Sequence, residues 1–268
     1  MKRVGILPAL VTAANGYLGL LSIYYTNDGK YYGAAWMILF AMVFDVLDGK
    51  VARMAGVTSR FGAYLDSLCD AISFGVAPAF LAKVVGEELS PWHWSPKLLS
   101  LLTMPYALCA IMRLARYNVE HASGEGSDRE GKGVSQFAGM PTPGAAGVIA
   151  ALVILACDPA AKYDLKFVHG LLPVLCLLLG ALMVSRIPYA HLGSRFLQRR
   201  ESLTYLFIVV ILLGVLIKWP EESFAFLSVA YALSGPLLAL LRKRTPKGEG
   251  GELEGPVDPE DMEIPEGL

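Results

Sequence analysis

Four aspartates stand where aspartate is expensive. Asp45 and Asp48 lie near the end of an apolar run that begins at about residue 33, and Asp66 and Asp70 lie near the start of the next one. A carboxylate inside a membrane helix costs about 3 kcal/mol or more unless it is paired, metal-bound or open to water, so each is a functional candidate. Spacings of three and four put each pair on one helix face. The short connection at 55–61 makes the two helices antiparallel neighbours, so all four carboxylates can converge on one pocket. Small residues follow the same faces: Gly49 and Ala52 continue the Asp45 and Asp48 side, and Gly62 sits one turn ahead of Asp66. Such residues let a backbone or a ligand come close. Clustered carboxylates repel unless they are protonated or share a divalent cation, and hard oxygen donors suit Mg²⁺ or Mn²⁺. Two ions fit four carboxylates better than one. Because Mg²⁺ usually shares its shell with substrate phosphates, this cluster with Arg53 beside it points to a phosphate-bearing substrate with one end in lipid. A single aspartate at a helix end can be an interfacial cap, but four at 0, +3, +21 and +25 with interleaved glycines are not explained that way.

The elements that must position these groups are membrane helices. Of the 268 residues 54% are hydrophobic and 18% charged, which departs from soluble-domain averages in both directions. A hydrocarbon core of about 30 Å needs roughly 20 apolar residues per helix, and the chain divides into eight such spans near 6–25, 33–54, 62–86, 97–117, 142–157, 167–187, 202–218 and 222–241. With the amino terminus inside, 17 of the 23 lysines and arginines fall on the cytoplasmic side. That bias orients helical membrane proteins and predicts both termini and the aspartates at the cytoplasmic face. The expected fold is therefore an all-α integral membrane domain over residues 1–244, with no repeat and no soluble domain. Cys69, Cys109, Cys157 and Cys176 are scattered singly through apolar stretches, which argues against a disulfide framework or structural zinc. No nucleic-acid partner is expected. Trp92, His93 and Trp94 read as an aromatic belt on the far side, Thr58 and Ser59 as caps before the third span, Pro141 and Pro143 as a helix start, and the Gly-rich stretch 122–139 as a flexible connection or a lid.

Read in full, Asp45-Val46-Leu47-Asp48-Gly49-Lys50-Val51-Ala52-Arg53, eight further residues, and Gly62-Ala63-Tyr64-Leu65-Asp66-Ser67-Leu68-Cys69-Asp70 resembles the signature of the CDP-alcohol phosphatidyltransferases at every fixed position. The resemblance implies transfer of a phosphatidyl group from a cytidine diphosphate-linked lipid to a small alcohol, with release of CMP. It also implies Asp45, Asp48 and Asp66 as metal ligands, Asp70 as a ligand or general base, and Gly49, Ala52 and Gly62 as the floor of the CMP site. A six-helix core is implied over the first six spans, with the last two an addition, and so is a homodimer. Three further stretches are similar to the serine-accepting members of the family: Pro8 to Gly16, which contains Thr12 and Asn15; Arg113-Leu114-Ala115-Arg116-Tyr117-Asn118; and Phe137 to Pro143. Where the family usually has Asn directly after the first proline, this chain has Ala9. Thr12, Asn15 and Arg53 are accordingly expected at the CMP and CDP-lipid site.

The resulting expectation is a membrane transferase that joins CDP-diacylglycerol, or a CDP-ether lipid, to L-serine with Mg²⁺ or Mn²⁺. Serine carries a carboxylate, and arginine neutralises carboxylates through bidentate hydrogen bonds. Arg113 and Arg116, with Asn118 as a neutral donor, are the candidates, although arginines at a span end also snorkel simply to anchor a helix. Glycerol 3-phosphate or an inositol phosphate are alternative acceptors. A cation-coupled transporter would favour a midplane site in broken helices, whereas these acids lie toward the ends of two helices that read as continuous.

The carboxy-terminal tail differs in kind from the body. Residues 245–268 carry eight acids and one lysine, which leaves the preceding residues at +6, and hold five Gly and four Pro. Such a composition cannot offset its ordering entropy by burial, so the tail is expected to be disordered. An anionic cytoplasmic leaflet would repel it. Truncation after Lys247 should leave CMP release and the amount of protein in the membrane unchanged. A large fall in either would contradict this reading.

Overall fold

The computed structural model describes residues 6–54, 60–122, 139–159, 165–185, 187, 218 and 220–244. Among these described residues there are helices and no strand. In chain order the helices are α1 (Ile6–Asn27), α2 (Tyr31–Met54), α3 (Arg60–Asp70), a π-helical turn (Ala71–Val76), α4 (Ala77–Glu88), α5 (Pro96–Ala122), α6 (Thr142–Cys157), α7 (Lys166–Val184) and α8 (Pro220–Arg244). Seven of the eight expected spans coincide with helices, α3, the π turn and α4 together forming the third. The seventh span, Thr58 and Ser59, the stretch 123–138 and the tail lie outside the described residues.

The α1–α2 hairpin shows how the local sequence sets the turns. Gly29 takes φ +72°, the left-handed conformation that ends a helix at least cost. The Gly29 and Lys30 amides then donate to the Thr26 and Tyr25 carbonyls at 3.1 and 2.9 Å, which satisfies the last carbonyls of α1. Pro141 caps α6 from an extended conformation with Pro143 just inside the helix, as expected. At the end of the bundle remote from the aspartates, Trp92, Trp94 and Phe167 form an edge-on aromatic cluster and Trp94 Nε1 donates to the Gly170 carbonyl at 3.3 Å. Tyr32 donates to Glu221 at 2.7 Å at that same end and ties α8 to α2.

Small residues line much of the packing between helices. Ala34, Ala35 and Ala41 of α2, Ala77 and Ala82 of α4 and Ala145, Ala146 and Ala150 of α6 are buried around Phe74, Leu81 and Tyr106. Many large apolar side chains point outward, among them Leu10, Leu20, Phe40, Leu68, Leu101, Leu108 and Phe226. Inward alanine and outward leucine is the pattern of helices that meet closely in lipid, where burial of large apolar groups gives no gain over exposure. Phe61–Glu88, Pro96–Val119 and Lys166–Val184 are long and apolar enough to cross a membrane.

The helix that carries Asp66 and Asp70 runs on to Glu88, as expected, but it is not regular: directly after Asp70 it widens into the π turn, where the Ala77 amide reaches back five residues to the Ile72 carbonyl. Pro78 supplies the reason. It lacks the amide that would bond the Phe74 carbonyl four residues earlier, and its ring would collide with that carbonyl in a tight α-turn. The Phe74 carbonyl instead accepts from the fully buried Tyr106 hydroxyl of α5 at 3.0 Å.

Helix α1 crosses this turn at very close range. A Cβ on Gly19 would stand 2.4 Å from Ser73 Oγ and 2.7 Å from the Ser73 Cα, so side-chain rotation cannot relieve the clash. Gly19→Ala is expected to destabilise the fold by about 1–3 kcal/mol. Gly147→Ala, whose Cβ would meet only the flexible end of Met42 at 3.4 Å, should be nearly neutral. Thermal unfolding of the two variants in the same detergent checks this contrast, and equal effects would contradict it.

Candidate active site

The last turns of α2 and the first turns of α3 bring their acids together. One carboxylate oxygen from each of Asp45, Asp48 and Asp66 lies within 4.8 Å of the other two. Asp48 is buried at 5% exposure and the other two are half-buried. Asp48 Oδ2 and Asp66 Oδ1 are shut away from solvent with no hydrogen-bond partner. A buried, unpartnered carboxylate oxygen is costly, and three carboxylates at this separation add mutual repulsion. A hard divalent cation among them would answer both costs at once, and the all-oxygen donor set is what Mg²⁺ and Mn²⁺ prefer. The residues present therefore fit such an ion.

Asp70 stands apart from that triad. Its Oδ1 accepts from Asn15 Nδ2 of α1 at 2.8 Å, both residues being buried. The Asn15 carbonyl in turn accepts from Ser73 Oγ at 2.9 Å, so α1 grips both Asp70 and the π turn. Gly16 permits this approach, since a Cβ there would lie 2.8 Å from Cys69 Sγ. Thr12, one turn before Asn15, is buried beside Asp48 and gives its hydroxyl proton to the Pro8 carbonyl at 3.0 Å. Gly49 adjoins Asp48 on α2, and Gly62 lies one turn ahead of Asp66 on α3. Ala52 and Arg53 continue α2 by a further turn, but their side chains lie outside what is described.

The two arginines of α5 differ in placement. Arg113 is turned inward, half-buried, with Nη1 donating to Thr142 Oγ1 at the start of α6 (2.9 Å) and a buried Nε that has no hydrogen-bond partner. Arg116 is exposed. Asn118 exchanges hydrogen bonds with Ser67 of α3 at 2.9 and 3.1 Å, which fixes α5 against the helix that bears Asp66 and Asp70. Tyr231 of α8 lies over Gly144, where a Cβ would come within 2.9 Å of its ring, and so reaches the same end of α6. Ser73 and Tyr106 lie outside the motifs singled out in the sequence, and Ser67 and Thr142 lie within them without an assigned role. Each acquires its role through a contact 29 to 58 residues away, which no local pattern announces.

Comparison with known proteins assigns the family. The family model for CDP-alcohol phosphatidyltransferase matches residues 5–185, and the chain belongs to that family. It is thus a membrane-embedded transferase of phospholipid synthesis. The chain is 32% identical over 235 residues to a CDP-diacylglycerol–serine O-phosphatidyltransferase of Helicobacter pylori, a match covering 86% of this chain and 89% of that protein. The enzyme of the same name from Methanocaldococcus jannaschii is 29% identical over 215 residues, covering 80% and 86%. Among solved structures, a phosphatidylinositol phosphate synthase of Mycobacterium tuberculosis in complex with manganese and citrate is similar over 65% of this chain and 78% of its own, at 23% identity and a TM-score of 0.47.

The carboxylate triad generates a thermal prediction. In EDTA, Asp48→Asn should melt at or above the wild-type temperature, because it removes one repelling, unpartnered charge. Saturating Mn²⁺ at a hundred times Kd should stabilise the wild type by about 2.7 kcal/mol and Asp48→Asn far less. Equal Mn²⁺ stabilisation of both proteins would show that the triad does not hold the ion.

Proposed function

We propose that this chain transfers the phosphatidyl group of CDP-diacylglycerol to the hydroxyl of L-serine, forming phosphatidylserine and CMP. The observation that carries the reading is the convergence of Asp45, Asp48 and Asp66 beside an Asp70 held by Asn15, within the segment that matches the family. Serine as acceptor is supported by the names of the relatives that match most of the chain. In the reaction the serine oxygen bonds to the β-phosphorus of the CDP-lipid, the bond from that phosphorus to the bridging oxygen breaks, and CMP leaves with the bond's electron pair. Asp45, Asp48 and Asp66 hold Mg²⁺ or Mn²⁺, with Asp70 a further ligand or the base. When bound, the ion neutralises charge on the pyrophosphate and the departing CMP. Asp70 accepts the serine hydroxyl proton, and Asn15 keeps its carboxylate aimed from the α1 side.

Gly49, Ala52 and Gly62 form the floor on which the nucleotide lies, and Thr12, Asn15 and Arg53 border the CDP-lipid. Arg113 takes the serine carboxylate: it faces inward and has a buried nitrogen to spare, with Asn118 nearby, whereas the exposed Arg116 serves the membrane surface or the entry path. Lipid tails enter laterally between helices while CMP and serine exchange with the cytoplasm, where the positive-inside bias puts both termini and the site. The enzyme works as a homodimer in the cytoplasmic membrane. Residues 1–244 form the catalytic domain, and 245–268 a disordered acidic tail.

The decisive assay is CMP release from CDP-diacylglycerol by the purified full chain, with serine, glycerol 3-phosphate or an inositol phosphate as acceptor, in Mg²⁺, Mn²⁺ or EDTA. Serine and a divalent ion should both be required; release driven as well by another acceptor would overturn the serine assignment. Arg113→Lys should raise the serine KM at least about tenfold, roughly 1.4 kcal/mol, with little change for the CDP-lipid, because lysine cannot make the bidentate clamp. Equal weakening toward both substrates would count against that assignment.

A further inference from the structure

We propose that Tyr106 is a positioning residue for the reaction and acts through the π turn directly after Asp70. The inference rests on the reading of Asp70 given above. Tyr106 is fully buried in α5, far from any acid in sequence, and its hydroxyl donates to the Phe74 carbonyl at 3.0 Å. That carbonyl is the one deprived of its α-helical donor by Pro78. The hydroxyl therefore satisfies the carbonyl that Pro78 leaves without a donor, and it braces the widened turn. A buried carbonyl with no partner would cost enough to favour another backbone arrangement.

The turn in turn sets the aim of Asp70. A one-residue change of register in a helix rotates its amino-terminal part by about 100° relative to its carboxy-terminal part. Leu81, Ala82 and Val85 are fully buried and lock α4 in the bundle, and Asn118 holds Ser67 and with it the Asp66 end of α3, so a tightening of the turn would be taken up between them, at Asp70. Asp70 is the last residue of α3. Rotation there would carry its carboxylate off Asn15, and it would also pull Ser73 from the Asn15 carbonyl. Tyr106 thus reaches the reacting groups through a carbonyl, a turn and a carboxylate, without touching substrate.

Two variants test this in the full chain reconstituted in lipid nanodiscs. Tyr106→Phe keeps the ring and deletes the donor. Pro78→Ala restores the amide at position 78, which lets the helix tighten, and should melt at or above the wild-type temperature. Both are expected to lower kcat for CMP release at least about tenfold, since small misplacements of a reacting group cost rates of that order. KM for CDP-diacylglycerol and serine, and Mn²⁺ affinity by electron paramagnetic resonance, should stay within about twofold, because Asn118 keeps Ser67, and with it Asp66, in place beside Asp45 and Asp48. A merely structural hydroxyl predicts the opposite for Pro78→Ala, a stable protein at full kcat. The inference is overturned if both variants retain kcat, if Pro78→Ala alone does, or if Mn²⁺ affinity and both KM values worsen in parallel with kcat. Asp70→Asn separates the two levels: an active Asp70→Asn overturns the reading of Asp70 and this inference with it, whereas an inactive Asp70→Asn beside a fully active Tyr106→Phe overturns this inference alone.

Discussion

The structure depends on keeping negative charge crowded in an apolar bundle. Asp45, Asp48 and Asp66 approach within 4.8 Å of one another, with two of their oxygens buried and unpartnered. Neither repulsion nor desolvation is relieved by any protein cation seen to pair with them among the described residues. Such an arrangement persists only if the surrounding helices hold it, and the small-residue seams of α1, α2, α4 and α6 supply that rigidity. Stability is given up locally, and a divalent cation among the three carboxylates would supply the missing positive charge.

Helix α1 is the member that links this cluster to the rest. It has no acid of its own, yet Thr12 stands by Asp48, Asn15 holds Asp70, and Gly16 and Gly19 bring its backbone against α3 and the π turn. From the other side α5 fastens the same helix twice, through Asn118 to Ser67 and through Tyr106 to Phe74. The acids are thus carried by α2 and α3 but aimed by α1 and α5. Substitutions in those two supporting helices are where altered rates with intact metal binding are to be expected.

Much of this is legible in the sequence, and the parts that are not share a cause. The aspartate spacings, the six core helices within a few residues of their ends, the helix start at Pro141 and Pro143 and the family resemblance all come from local or periodic signals, which a single chain displays directly. As text, Asn15 reads only as a nucleotide contact, while the fold gives it to Asp70. The π turn is not legible although Pro78 marks it, because a proline within an apolar run is tolerated in membrane helices in several ways and only the position of Tyr106 selects this one. Arg113 and Arg116 are three residues apart and equivalent as text. Packing against α6 separates them, and that depends on Thr142, 29 residues later.

That Asp45, Asp48 and Asp66 together hold the divalent ion is tested most directly by anomalous diffraction at the manganese edge, from crystals of the full chain grown with Mn²⁺. The expected result is a strong anomalous peak between α2 and α3 with oxygens of all three aspartates in its shell at about 2.0–2.5 Å. A fully occupied manganese elsewhere, with the three carboxylates left bare, would contradict it.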